Sequence, residues 1–237
     1  MSAIRFEIKL HSCNDRFNNP AVRSPLVVEV DLSGPRLAND LFFVLHDDTT
    51  GRTRLSSRLT GLGLAAAVLG ELMLIGRVTV ELTDGWVGLA LVDAAPTGDT
   101  LTQTALDHII AEPSHRFRIW LQFLARTAYT DVAARMTADG LLHPPRGRLS
   151  RRRAPVLANT AAWPGGRLNL AIQRRQPLNL QDGVLLGLLV ATSGGQLVLW
   201  DQNPTYLSAS TAALPAPLQE LIAQTEAAVA DSVISRR

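Results

Sequence analysis

The chain contains a single cysteine, Cys13, among 237 residues. One thiol cannot form a disulfide within the chain, and disulfides are typical of oxidising compartments, so a reducing compartment is expected. The first 25 residues also lack the continuous apolar stretch of a secretory signal, because charged residues are scattered through them. We therefore predict a cytoplasmic protein.

Acidic residues are missing from one long segment. Residues 140–181 contain no Asp or Glu but eight arginines, although the formal net charge of the whole chain is only +2. Guanidinium groups bind phosphate oxygens bidentately, so this segment predicts an anionic partner: membrane headgroups, nucleic acid or an acidic protein surface. Nucleic acid is unlikely among these, because no aromatic residue lies between the arginines of 146–153 to stack on bases.

Motifs of known catalytic chemistry are also scarce. The stretch GLGLAA (61–66) has the G-x-G-x-x-A spacing of a dinucleotide site, but the preceding TRLSSRLT is too polar for the buried strand that such a site requires. His46, Asp47 and Asp48 have the chemistry of metal ligands but lack further ligands at matching spacing, so a solvated turn is expected. The chain has no P-loop, no G-x-S-x-G and no paired cysteines. We predict that the protein is not an enzyme and uses no cofactor or metal.

The longest apolar run, residues 59–75, contains one charged residue, Glu71. As a helix it would span ~26 Å, which approaches the apolar thickness of a bilayer. The buried charge and the three glycines favour the central helix of a soluble bundle instead. Glu71 would then lie at the edge of the bundle or pair with an arginine such as Arg58 or Arg77.

Hydrophobic periodicity predicts helices on both sides of this run. They fall on LANDLFFVLHDD (37–48), on TLTQTALDHIIAE (100–112) after the capping PTGD, on SHRFRIWLQFLARTA (114–128) with Ser114 as cap, on 131–139, on QDGVLLGLLVAT (181–192) and on 215–234. Asp84-Gly85 between two β-rich runs predicts a hairpin at 78–92, and LVLW (197–200) is a strand candidate. The basic segment, interrupted by prolines, predicts an exposed loop or ribbon rather than a long helix. The fold class is therefore mainly α, a helical bundle with one or two short β-hairpins.

Four motifs follow one another along the chain: LANDLFFVLHDDTTGR (37–52), GLGLAAAVLGELMLIGRVTVE (61–81), PTGDTLTQTALDHI (96–109), and DVAARMTADGLL (131–142) before an arginine-rich stretch. In order and spacing they resemble the Golgi phosphoprotein 3 family, in particular its bacterial branch. The resemblance is specific from residue 37 to about residue 110 and thins towards residue 142. It implies a helical bundle of the Golgi phosphoprotein 3 type over residues 36–237, preceded at 1–35 by a flexible N-terminal extension with a short strand.

The resemblance also implies a function. Eukaryotic members of the family are non-enzymatic peripheral membrane proteins that recognise phosphatidylinositol 4-phosphate and link membranes to partner proteins, including glycosyltransferase tails. The family's headgroup-stacking Trp corresponds here to Ser56, and the Arg of its core helix corresponds to Ala65. Its two further basic positions correspond to Arg126 and Tyr129, so this chain departs from the family's ligand set at three of four positions.

Residues and resemblance together predict a protein on the inner face of a membrane that binds phosphoinositide or other anionic headgroups. The predicted headgroup-binding residues are Arg126, Arg146, Arg148, Arg151, Arg152 and Arg153. The predicted membrane-inserting residues are Leu149, Val156, Leu157 and Trp163. The alternative is a protein-interaction adaptor or self-associating scaffold, a homo-oligomer included, that uses the same arginine-rich ribbon without a specific lipid.

Overall fold

Residues 36–83, 85–145 and 153–234 are described by the structure, a computed structural model. Within them the helices are α1 (Leu37–Val44), α2 (Ser57–Leu74), α3 (Thr100–Ala111), α4 (Phe117–Leu124), α5 (Ala128–Ala138), α6 (Ala158–Gln173), α7 (Leu180–Ala191), α8 (Gly195–Val198), α9 (Pro204–Ala212) and α10 (Ala216–Ile234), and the strands are β1 (Val78–Thr83) and β2 (Trp86–Leu91). This confirms the mainly α fold class with a β-hairpin. The predicted N-terminal extension, 1–35, lies outside the described residues.

Helix α2 is the central element, and it packs against α1, α3, α4, α5, α7 and α10. Small residues allow this crowding: a Cβ on Gly63 would lie 2.8 Å from Cγ2 of Thr192, and one on Gly70 would lie 2.8 Å from Cδ2 of Leu37. By length and composition α2 could cross a membrane, but 72% of it is buried inside the bundle. The prediction of a core helix is confirmed, and the glycines of GLGLAA serve helix packing.

The predicted hairpin is also confirmed. Strands β1 and β2 pair antiparallel in a register that runs from Val78 opposite Leu91 to Thr83 opposite Trp86. Gly85 in the connecting turn has a φ of +78°, a conformation that glycine adopts without strain.

A buried ion pair joins α2 to α5. Arg135 donates from Nη1 and Nη2 to the two carboxylate oxygens of Glu71, at 2.8 and 3.0 Å, and from Nη1 to Asp99 Oδ2 at 3.0 Å. Both nitrogens Nε and Nη2 also donate to Asn39 Oδ1, at 3.0 and 2.7 Å. Glu71 Oε1 accepts the backbone N–H of Ala38 at 2.8 Å, so four helices meet at one polar cluster.

The partner of Glu71 was predicted wrongly. Arg77 instead pairs with Asp93 at the edge of the hairpin, and Arg58 is exposed at the start of α2. Arg135 lies 64 residues along the chain from Glu71, so only the tertiary fold brings them together. Burial raises the pKa of Glu71, and the guanidinium of Arg135 opposes that rise.

Helix α6 contradicts the prediction of a loop or ribbon for this part of the basic segment. Pro164 lies inside the helix, where a proline costs roughly 3 kcal/mol. Tertiary contacts outweigh that cost. Leu168 is fully buried in the core, and Arg167 donates to Asp182 of α7 and to Asp40 of α1, each at 2.7 Å.

Three local predictions also need correction. LVLW is not a strand, because α8 occupies 195–198. The cap of α4 is Arg116 rather than Ser114, and the helix predicted over 131–139 begins earlier, at Ala128. Helix α9 was not predicted at all, although Asn203 caps it through two backbone N–H groups. The predicted cap of α3 is confirmed, since Asp99 accepts the N–H of Thr102 at 3.1 Å.

Candidate functional site

A tight turn after α1 carries the first two arginines of the candidate site. Asp47 Oδ1 accepts the backbone N–H and the hydroxyl of Thr50, at 2.6 and 2.7 Å, and these bonds lower the pKa of Asp47. Gly51 follows with a φ of +63°. Arg52 and Arg54 are exposed beyond it, and Arg54 Nε donates to a backbone carbonyl just after α1 at 3.1 Å. The turn therefore holds both side chains at the end of the bundle.

Two more arginines lie where α2 begins and α4 ends. Arg58, in the first turn of α2, and Arg126, just after α4, are both exposed. The two elements touch closely here, because a Cβ on Gly61 would lie only 2.7 Å from the carbonyl oxygen of Ala125. Glycine at position 61 thus allows the approach that places Arg126 beside the start of α2.

The base of the arginine-rich segment packs against the same turn. Leu142 and Pro155 form an antiparallel bridge, and flanking backbone bonds at 2.9 and 3.0 Å join 143 to 154 and 156 to 141. The carbonyl of Arg153 abuts Gly51 so closely that a Cβ there would lie 2.3 Å from its oxygen. The described base of the segment therefore lies beside the turn after α1.

We call this surface the basic end; it comprises Arg52, Arg54, Arg58, Arg126 and Arg153. Two of these, Arg126 and Arg153, belong to the predicted headgroup-binding set. The other predicted arginines, Arg146, Arg148, Arg151 and Arg152, lie outside the described residues. Sequence reasoning did not predict Arg52, Arg54 and Arg58 as site residues, although these three arginines fall within seven residues of TGRTRLSSRLT. Their role was not inferred because nothing in the sequence placed that turn beside the basic segment.

Three of the four predicted membrane-inserting residues are described, and all three are exposed. The exposed fractions are 43% for Val156, 64% for Leu157 and 65% for Trp163. The first two connect the ribbon base to α6, and Trp163 lies in the second turn of that helix. Leu149 lies outside the described residues. The described three are thus continuous along the chain with the basic end, and their insertion stays a prediction.

The positions that correspond to the family's ligands contribute little here. Ser56 is the half-buried residue before α2, and its hydroxyl has no hydrogen-bond partner in the part of the chain that the structure describes. Ala65 is fully buried inside α2, so a longer headgroup-binding side chain is absent there. Tyr129 is half-buried in α5. Of the four corresponding positions, only Arg126 is basic, and exposed arginines close to the other three carry the rest of the positive charge.

An aromatic cluster closes the core beneath the basic end. The ring of His46 stacks on Phe42 with centroids 4.0 Å apart, and Tyr129 lies 5.7 Å from His46. His46 Nδ1 donates to the carbonyl oxygen of Phe42 at 2.6 Å. Burial lowers the pKa of His46 to about 4, so the imidazole is neutral at physiological pH. Its side chain faces the core, away from Asp47 and Asp48, and no three His, Cys, Asp or Glu of the described ranges gather as a metal site would require.

A bundle arranged around one apolar central helix, with one antiparallel hairpin and an arginine-rich end, defines a mainly α-helical domain with a basic surface. The sequence model of the Golgi phosphoprotein 3 (GPP34) family matches residues 37–233. The chain therefore belongs to the Golgi phosphoprotein 3 family. A search of curated proteins finds no match to this chain.

Proposed function

We propose that the protein is a non-enzymatic, cytoplasmic protein that binds the inner face of a membrane through anionic headgroups, phosphoinositides among them. One observation carries the proposal: two close backbone approaches, Gly51 to Arg153 and Gly61 to Ala125, bring arginine-bearing stretches of chain side by side at the basic end. These stretches are the turn after α1, the start of α2, the α4–α5 connection and the ribbon base. Membership in the Golgi phosphoprotein 3 family also supports headgroup binding.

The arginines of the basic end are suited to phosphate oxygens. The guanidinium groups of Arg52, Arg58 and Arg126 make no hydrogen bond or ion pair with any described residue, so their donors remain for a ligand. A basic residue near an anionic bilayer contributes about 1 kcal/mol, so these three contribute roughly 3 kcal/mol. Exposed charges are screened over about 8–10 Å at physiological salt, so this attraction weakens as salt is added.

A phosphomonoester is the headgroup that these arginines fit best. Arg54 and Arg58 flank Ser56, and Arg126 approaches the start of α2 from the other side. A doubly charged phosphate accepts several charge-assisted hydrogen bonds, whereas a phosphodiester carries one charge. In this proposal Arg54 and Arg58 replace the family's ligands at Ser56 and Ala65, and Arg126 acts from a position that corresponds to one of the family's own basic ligands.

Vesicle co-sedimentation tests the proposal. The full chain is mixed with neutral vesicles, with vesicles containing phosphatidylserine, and with vesicles containing phosphatidylinositol 4-phosphate, each at low and physiological salt. Selective binding of the phosphoinositide at physiological salt is the expected result. Binding to every anionic vesicle that disappears with salt would reduce the site to a nonspecific arginine contact.

A matched pair of variants identifies the surface. Arg58→Ser with Arg126→Ser removes about 2 kcal/mol of attraction, so binding should weaken about 30-fold. The control, Arg116→Ser with Arg118→Ser, removes the same charge from exposed positions at the start of α4, the end of that helix opposite Arg126. An equal loss of vesicle binding in both variants would mean that binding depends on net charge alone. No vesicle binding by the unaltered protein would favour the alternative, an adaptor or self-associating scaffold.

A further inference from the structure

We propose that α6 and α8 form an apolar membrane contact, with the outer face of α6 lying along the bilayer interface next to the basic end. This inference rests on the proposed function and adds the surface that enters the lipid. Its main residues are strongly exposed: Trp163 is 65% exposed, Trp200 72%, Leu157 64% and Leu197 51%. Large apolar side chains exposed together on a protein surface indicate an interaction site.

The outer face of α6 forms a continuous stripe. Its members line one open cleft of about 480 Å³ and follow helical spacing: Asn159, Ala162, Trp163, Gly166 and Leu170. Arg167 also lines this cleft, with its guanidinium bound to Asp40 and Asp182. The opposite side of the helix is buried in the core through Ala161, Leu168 and Ile172. The stripe therefore points away from the bundle along the length of the helix, as in helices that lie in a membrane interface.

Helix α8 is fastened to the flank of this stripe. Asn169 of α6 donates from Nδ2 to the carbonyl oxygen of Val198 at 3.1 Å and accepts the backbone N–H of Trp200 at 2.8 Å. A Cβ on Gly165 would lie 3.6 Å from Cγ1 of Val198, so α6 and α8 are in van der Waals range here. These contacts place Trp200 next to α6, although 37 residues separate it from Trp163 in the sequence. Sequence reasoning found only the first of the two tryptophans.

The stripe carries no acidic residue that would repel an anionic bilayer. Residues 154–173 contain no Asp or Glu, and their one charged residue, Arg167, is turned towards Asp40 and Asp182. Asp201, beside Trp200, is exposed and marks the edge of the surface. Trp is favoured where an apolar body meets a polar boundary, and the stripe begins where the basic end stops. These features favour a bilayer over a protein as the occupant.

The four tryptophans provide their own test. Four full-length proteins are made, each retaining one Trp while the other three are changed to Phe. Each is mixed with anionic vesicles whose acyl chains carry bromine, which quenches indole fluorescence on contact. Trp163 and Trp200 should be quenched and shifted to shorter wavelength. Trp120, which is 3% exposed, and Trp86, on the hairpin, should stay unchanged.

Binding of matched variants gives a second readout. Leu197→Ser with Trp200→Ser should weaken vesicle binding by about 10-fold, whereas Leu82→Ser on the hairpin, also strongly exposed at 73%, should not. If the protein sediments with vesicles while Trp163 and Trp200 remain unquenched, this inference is overturned and the proposed function stands. If vesicles never bind, both are overturned. Shifted Trp163 fluorescence that depends on protein concentration without vesicles would assign the surface to self-association and also overturn the inference.

Discussion

Replacing Arg135 with Met tests the reasoning about the buried polar cluster. The side chains of Arg135 and Glu71 are 6% and 2% exposed, so the substitution leaves a carboxylate in the core beside Asp99. The backbone N–H of Ala38 still donates to that carboxylate at 2.8 Å. Removing one member of a buried ion pair costs about 3–5 kcal/mol. At about 2–4 °C per kcal/mol for a chain of this size, Arg135→Met should lower Tm by about 6–20 °C.

The pH dependence of this loss gives the sharper readout. Burial raises the pKa of Glu71 above its ordinary value, and loss of the guanidinium should raise it further. Between the unfolded and folded pKa the folded state holds a proton that the unfolded state has released, so the unfolding free energy falls by about 1.4 kcal/mol per pH unit as pH rises. Relative to the unaltered protein, Arg135→Met should therefore be less destabilised at pH 5 than at pH 7.

Urea unfolding followed by circular dichroism at both pH values measures these quantities. Adding Glu71→Gln to Arg135→Met removes the stranded charge and should abolish the extra pH dependence. Arg118→Met is the surface control; Arg118 and Asp231 are 45% and 53% exposed, and such pairs contribute at most about 1 kcal/mol. A loss below about 1 kcal/mol at pH 7 for Arg135→Met, or an equal loss at both pH values, would refute the reasoning.

The remaining predictions concern the basic end and the core beneath it. Because the folded pKa of His46 is about 4, the protein should lose about 3 kcal/mol of stability as pH falls from 6.5 to 4, and His46→Phe should flatten that slope in urea unfolding. Gly51→Ala and Gly76→Ala both place alanine at positive φ, but only the first meets the backbone of Arg153, so only it should also weaken vesicle binding. Gly61→Ala should lower the free energy of unfolding by about 1–3 kcal/mol, because its Cβ meets a carbonyl oxygen of the α4–α5 connection, and the loss is measured by urea unfolding.

Local signals in the sequence were sufficient for several elements. The all-round apolar run predicted α2, Asp84-Gly85 predicted the hairpin, and the Asp99 cap marked the start of α3. In each case residues close together in the chain determine the outcome. Helix α6 was missed because Pro164 argues against a helix locally, while the contacts that stabilise it come from Asp40, 127 residues from Arg167.

The candidate site was predictable only in part for the same reason. The run of arginines after residue 145 was evident, but its neighbours were not. Arg52 lies next to Arg153 through the approach of Gly51 to the Arg153 backbone, a contact between distant stretches of chain. Likewise, Trp200 lies beside α6 because its backbone N–H donates to Asn169, and no local sequence pattern predicts that hydrogen bond.

The position of Glu71 on the central helix has a consequence for how the bundle is assembled. An apolar stripe normally determines which side of a helix faces its neighbours, but α2 is apolar all round, so hydrophobicity leaves its rotation about its own axis nearly free. A turn of one residue, about 100°, would carry the carboxylate away from Arg135 and into hydrocarbon. Glu71 therefore fixes the rotation of α2 relative to α5, in agreement with the glycines that face α1 and the ends of α4 and α7.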